Sequence, residues 1–167
     1  MKRALLLLVQ IALLGACATL PPPAEGNKTL LVMVVKTAKA GGYALSYEFG
    51  LKESTEKLTV NPTNGVVMFK SLPPGNYTID KVAVVPGPTI AGGTYMGDTK
   101  PRAIDPGLVF KLIEGQITIL PVTLIVDEEV VGGNMTIQRQ RLVATNRDEA
   151  LAELAKYDNF DLWRVAP

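Results

Sequence analysis

Leu72-Pro73-Pro74-Gly75-Asn76-Tyr77-Thr78-Ile79 follows Gly65-Val66-Val67-Met68-Phe69, so an apolar strand runs into a double-proline corner and out into a second strand. The prolines fix the backbone at the corner, Gly75 tolerates a positive φ, and Tyr77 and Ile79 fall on one face of the outgoing strand. Working outward, Asn61-Pro62-Thr63-Asn64-Gly65 is a turn and Lys57 to Val60 a short strand. Tyr43, Leu45, Tyr47 and Phe49 alternate with small or polar residues, as in a half-buried strand with an aromatic inner face. Leu30 to Val35 is apolar without interruption, the pattern of a strand covered on both sides. Downstream, Tyr77 to Val85, Leu108 to Ile113, Ile117 to Val126 and Met135 to Val143 read as further strands.

Three connections carry expectations of their own. Pro86 to Pro106 holds four prolines and four glycines and reads as a long surface loop. Its Tyr95, Met96, Asp98, Lys100 and Arg102 are candidate contact residues, because recognition is commonly placed on irregular loops carried by a rigid scaffold. Gly115-Gln116 suits a tight hairpin, Asp127-Glu128-Glu129 and Gly132-Gly133-Asn134 form the next connection, and Pro121 belongs at an edge or bulge because it lacks an N–H. Asn146 opens a helix over about 146–156, with Glu149 placed for a capping box and Ala150, Leu151, Leu154 and Ala155 for a buried stripe. Beyond it Tyr157, Phe160, Leu162 and Trp163 form either a clasp on the core or an exposed C-terminal docking strip, with Tyr157, Phe160 and Trp163 as its candidate docking residues.

The segments Gly65 to Phe69 and Leu72 to Ile79 resemble the corner of small prealbumin-like, immunoglobulin-type sandwiches, the group that includes carboxypeptidase regulatory-like and collagen-adhesin B-type domains. The resemblance spans 28–85. It implies an all-β, immunoglobulin-like or prealbumin-like antiparallel β-sandwich with one C-terminal α-helix, occupying 28–167. Some adhesin B-type domains close a Lys-to-Asn isopeptide bond beside a carboxylate, and Lys36, Glu48 and Asn134 supply those residue types. Glu48 falls on the polar face of its strand, which argues against that chemistry.

The N-terminus follows export logic. Lys2 and Arg3 precede an apolar run from Ala4 to Leu14, broken only by Gln10 and too short to span a bilayer. Leu14-Gly15-Ala16-Cys17 resembles the lipobox of bacterial lipoproteins. This implies a signal peptide over 1–16 and a diacylglyceryl and acyl (palmitate-type) lipid on Cys17. Residues 17–27 contain Pro21-Pro22-Pro23 and read as a lipidated cysteine plus a Pro-rich tether, about 3.1 Å per residue and roughly 30 Å in reach. Ala18 stands where inner-membrane lipoproteins usually carry Asp, so the expected address is the periplasmic face of the outer membrane. Cys17 is the only cysteine, which rules out an internal disulfide. Losing Lys2 and Arg3 takes the formal charge from +1 to −1, which gives no electrostatic basis for nucleic-acid binding.

The sequence has no histidine, no Gly-x-Ser-x-Gly elbow and no Walker-type loop. Asp127, Glu128 and Glu129 lack calcium-loop spacing. No metal or cofactor is therefore expected, and no catalytic residue is assigned. The expected function is a non-catalytic protein-interaction or scaffolding module of the envelope, with another envelope protein as partner. A glycan- or peptidoglycan-binding module using loop aromatics such as Tyr95 is the alternative, and an unrecognised enzyme the third reading. Mass spectrometry of membrane-extracted protein should find an N-terminal fragment beginning at acylated Cys17, and Cys17→Ser should abolish lipid labelling. An unmodified cysteine in the mature protein would contradict the lipobox reading.

Overall fold

The computed structural model describes residues 19–23, 29–37, 45–70, 72–87, 97–131 and 135–167. Cys17, Tyr43, Tyr95, Met96 and Asn134 lie outside these residues. The described residues form a two-sheet β-sandwich with one α-helix, in agreement with the all-β expectation. In the first sheet, β1 (Leu30–Thr37) lies between β4 (Gly65–Phe69) and β7 (Gln116–Val131), and β8 (Met135–Ala144) follows β7. In the second, β2 (Leu45–Leu51) lies between β3 (Lys57–Val60) and β5 (Gly75–Pro86), and β6 (Arg102–Leu112) forms the far edge. β1 and β7 run parallel, and β4 and β8 are antiparallel to their neighbours.

Between the sheets lies the larger core. Leu31, Met33 and Val35 of β1 and Leu120, Leu124 and Val126 of β7 meet Tyr47, Phe49, Ile79 and Phe110 from the opposite sheet. The corner at Leu72 behaves as its residues dictate. Tyr77 is 7% exposed, its hydroxyl donates to the Pro73 carbonyl at 2.9 Å, and its ring stacks on Phe110 with centroids 5.7 Å apart. Thr29 closes the same corner from the other sheet by donating its hydroxyl to the Leu72 carbonyl. A bulge at Asp80 then shifts the inward positions of β5 from Tyr77 and Ile79 to Val82 and Val84.

The first sheet is buried on its outer face as well. Leu30 and Val32 of β1, Val66 and Met68 of β4, and Ile117 and Ile119 of β7 point into a second core closed by Leu20, Leu154 and Trp163. This explains the uninterrupted apolar run of β1, whose alternate side chains enter different cores. The helix α1 (Arg147–Leu154) packs over β4 and β7. The Asn146 carboxamide caps it by accepting from the Asp148 and Glu149 amides.

Several sequence expectations need correction. Glu149 does not close a capping box; its carboxylate pairs with Lys36 at 2.8 Å. The buried helix positions are Ala150 and Leu154, with Leu151 half-buried and Ala155 exposed. Gly115 has φ +69 and sits in a tight turn closed by Gln116 N–H to Ile113 C=O, but the strands on either side belong to different sheets, so the turn is a crossover rather than a hairpin. Asp127, Glu128 and Glu129 are not a connection, because β7 continues through them against Arg139, Gln138 and Ile137 of β8. The expected loop of 86–106 is shorter, since β6 begins at Arg102 and pairs with β5 there.

Pro121 sits where β1 advances two positions from Val32 to Val34 while β7 advances four, from Ile119 to Thr123. The missing N–H is thus accommodated at an irregularity of an inner strand. Because the excess is even, Ile117 and Ile119 stay on one face and Leu120 and Leu124 on the other.

Tyr77 gives a measurable handle on the corner. Burial and the carboxylates of Glu56 and Glu53 raise its hydroxyl above the ordinary tyrosine range. The folded state then holds this proton more tightly than the unfolded chain, so its contribution is complete below about pH 10 and declines as pH rises further. Tyr77→Ala should cost about 3–5 kcal/mol in urea denaturation. Tyr77→Phe should cost only about 0.5–1.5 kcal/mol and flatten the alkaline loss of stability. Equal melting of Tyr77→Ala and parent would contradict this account of the corner.

Candidate functional site

The residues after the proposed lipidation position meet the end of the chain. After α1, Asn159 adopts a left-handed backbone (φ 67), Phe160–Leu162 form a 3-10 turn, and β9 (Arg164–Val165) pairs in parallel with Gln116 and Ile117 of β7. Asparagine tolerates that conformation better than other non-glycine residues. The amide of Ala166 donates to the Ile117 carbonyl at 2.8 Å, and Arg147 donates to the Ala166 carbonyl. The tail is therefore tied to both sheet and helix.

Thr19–Pro23 lie along this tail. Thr19 forms a parallel bridge with Asp158, and the Leu20 amide donates to the Asp158 carbonyl at 3.0 Å. Asn159 Nδ2 donates to the Leu20 carbonyl at 3.2 Å, and the Trp163 indole N–H donates to the Pro21 carbonyl at 2.9 Å. Leu20 is fully buried in the second core. The segment expected to begin a free tether thus has backbone and side-chain partners from Thr19 to Pro21.

This arrangement bears on both candidate groups. Trp163 is buried and Tyr157 and Phe160 are half-buried against the second core, which is the clasp geometry rather than an exposed strip. Leu162 remains 54% exposed on the same turn. The sequence takes it into the same clasp or strip as Tyr157, Phe160 and Trp163. Its only signal is its position beside Trp163 in a segment otherwise rich in acids. Leu20 was likewise absorbed into the tether reading, although a leucine before three prolines is an apolar residue that a solvated tether does not need.

Asp98, Lys100 and Arg102 are all exposed. The Lys100 amide donates to Asp98 Oδ1 at 2.9 Å, a local Asx turn, and the Arg102 guanidinium lies 4.0 Å from the Asp98 carboxylate. They form an exposed turn and the start of an edge strand. Near the β3 end, Ser54 and Lys57 stand at Ser-x-x-Lys spacing. The Ser54 hydroxyl accepts from the Glu56 amide at 3.0 Å and Lys57 pairs with Glu48 at 2.6 Å, so both act in surface structure. Glu53 accepts from the Thr78 amide at 2.7 Å, and its hydrogen bonding with Thr78 holds its carboxyl below the usual glutamate range.

Of the residues considered for an isopeptide bond, the two described ones, Lys36 and Glu48, are not brought together. Lys36 pairs with Glu149 over the first sheet, whereas Glu48 pairs with Lys57 on the second. Asp127 and Glu129 pair with Arg141 and Arg139 across the β7–β8 ribbon, at 3.4 Å and 3.1 Å. An open groove of about 340 Å³ lies between β3 and β4, lined by Glu56, Lys57, Met68, Phe69 and Lys70 among others. Among the described residues, no group of three or more His, Cys, Asp or Glu is placed to hold a metal ion, and no helix is long and apolar enough to cross a membrane. Comparison with protein-family models, with curated proteins and with solved structures returns no significant match.

Proposed function

We propose that the chain is a lipid-anchored protein of the bacterial cell envelope, held on the periplasmic face of the outer membrane, whose prealbumin-like sandwich is a non-catalytic protein-interaction or scaffolding module. The observation that carries this reading is the unequal treatment of the two sheets. The first is closed over its outer face by Thr19–Pro23, α1 and the tail. The second presents a polar outer face, where Ser46 and Asn61 bond at 2.6 Å and Glu48 pairs with Lys57, and it ends in the edge strand β6.

An open edge strand offers N–H and C=O groups to another chain, and natural proteins usually blunt such edges. β6 carries Val109 at 71% exposure, which with Leu162 makes up the large exposed apolar residues among those described. Lys111 lies two positions on, also exposed. The prealbumin-like assignment draws on the parallel β1–β7 pair and on the Tyr77 hydroxyl tied back to the Pro73 carbonyl, a bond akin to the tyrosine corner of immunoglobulin-type sandwiches. The non-catalytic assignment draws on the sequence, which lacks histidine, and on acids and bases that meet in exposed pairs.

A photo-crosslinking residue at position 109 should form one discrete adduct with another envelope protein in intact cells. The same residue in place of Ala152 on α1, exposed on the closed side, should not. Val109→Glu should leave the melting temperature nearly unchanged, remove complementation of a deletion strain, and remove the adduct formed by a crosslinking residue placed instead at the exposed position 111. Full complementation by Val109→Glu would contradict the edge as the working surface.

A further inference from the structure

We infer that the clasp is also a membrane-seating surface, and that Leu162 inserts among the lipid headgroups beside the anchor. This rests on lipidation of Cys17, and it replaces a domain swinging on a tether with one held against the bilayer in a single orientation. Thr19 stands two positions after Cys17 in the chain. Fully extended, those two steps reach about 7 Å. The headgroup layer of one leaflet is itself roughly 5–7 Å deep. Thr19 is therefore held at or just above the headgroups, whatever path the intervening residue takes.

From Thr19 on, the chain is fixed to the tail. Its bridge to Asp158, the Asn159 bond to Leu20 and the Trp163 bond to Pro21 bring 158–163 to the same place. The 3-10 turn Phe160–Leu162 is bracketed by the last two bonds and spans only about 6 Å at its usual rise. The large exposed apolar side chain of this pole, Leu162 at 54%, thus lies where the lipid anchor confines the domain. Phe160, half-buried beside it, widens the apolar rim, and the buried Trp163 indole stands behind. Charge does not oppose the seating. From Lys156 to Arg164 two cations, Lys156 and Arg164, balance two anions, Asp158 and Asp161. Contact should accordingly be apolar in character and insensitive to salt.

The other large exposed apolar residue among those described, Val109, belongs to the opposite sheet. It supplies an internal comparison. The chain has no cysteine besides Cys17, so Leu162→Cys or Val109→Cys in the lipidated protein introduces a single free thiol for a nitroxide label. The full mature protein would be extracted in detergent, its acylation checked by mass, and reconstituted into phosphatidylethanolamine–phosphatidylglycerol vesicles. The ratio of collision with oxygen to collision with a water-soluble nickel chelate should be several-fold higher at position 162 than at 109, and unchanged by salt. Trp163, the only tryptophan, should also be quenched by lipids brominated near the headgroup end of the acyl chain, a readout that needs no substitution. Acylated protein in which the two labels are equally aqueous and Trp163 is unquenched would overturn the seating while leaving the anchor intact. An unmodified Cys17 would overturn the anchor and the seating together.

Discussion

The rest of the structure depends on a strand that is apolar on both faces. An antiparallel sheet can leave one side to water, but β1 carries Leu31, Met33 and Val35 toward one side and Leu30 and Val32 toward the other, all fully buried. At about 25 cal/mol per Å² of apolar surface, exposing the second set would forfeit several kcal/mol, a large part of a small domain's net stability. A second sheet satisfies only the inner face. The outer face has to be closed by other parts of the chain.

That requirement accounts for the otherwise unrelated pieces at the ends. α1 is short, and a helix of eight residues has little stability alone. It is held by Leu154 in the second core, by the Asn146 cap and by the Lys36–Glu149 pair. The exposed ion pair adds little beside the burial. The tail continues the cover with Trp163, and Leu20 completes it from the other end of the chain. Closure of the core and the proposed anchor then meet in one place. The residues that seal the outer face of the first sheet are those next to the proposed lipidation position, so under the proposed function a need of the core would set the orientation of the domain on its anchor and leave the second sheet to face other molecules.

How far this could be read beforehand follows from the range of each interaction. Strands with local signals were legible: Lys57–Val60 matches its expected bounds, and the Tyr77 and Ile79 alternation follows from residue order alone. The doubly apolar run of β1 signalled cover on both faces without saying what supplies it. Register and sheet membership were not legible. Gly115 marks a turn, but nothing near it tells whether β6 and β7 pair or part, because that is decided by partners far away in the chain. Asp127 to Glu129 read as a connection because three acids are usual in turns, whereas arginines on β8 pair with Asp127 and Glu129 and let the strand continue. The greatest loss was at Leu20 and Pro21. Three prolines dominated a segment whose fate is set by bonds to Asn159 and Trp163, almost the whole chain length away.

The residues just after the proposed lipidation position belong to the folded core, and the clasp depends on this placement. Its most direct test is Leu20→Ala in the mature protein, followed by urea denaturation and by emission of the lone Trp163. Removing a fully buried leucine from a core that Trp163 shares should cost about 2–5 kcal/mol, with the tryptophan emission shifting to the red as water reaches the indole. A variant that unfolds with the parent and keeps its emission unchanged would show that Thr19–Pro23 is a tether after all, and the account of the clasp would fail.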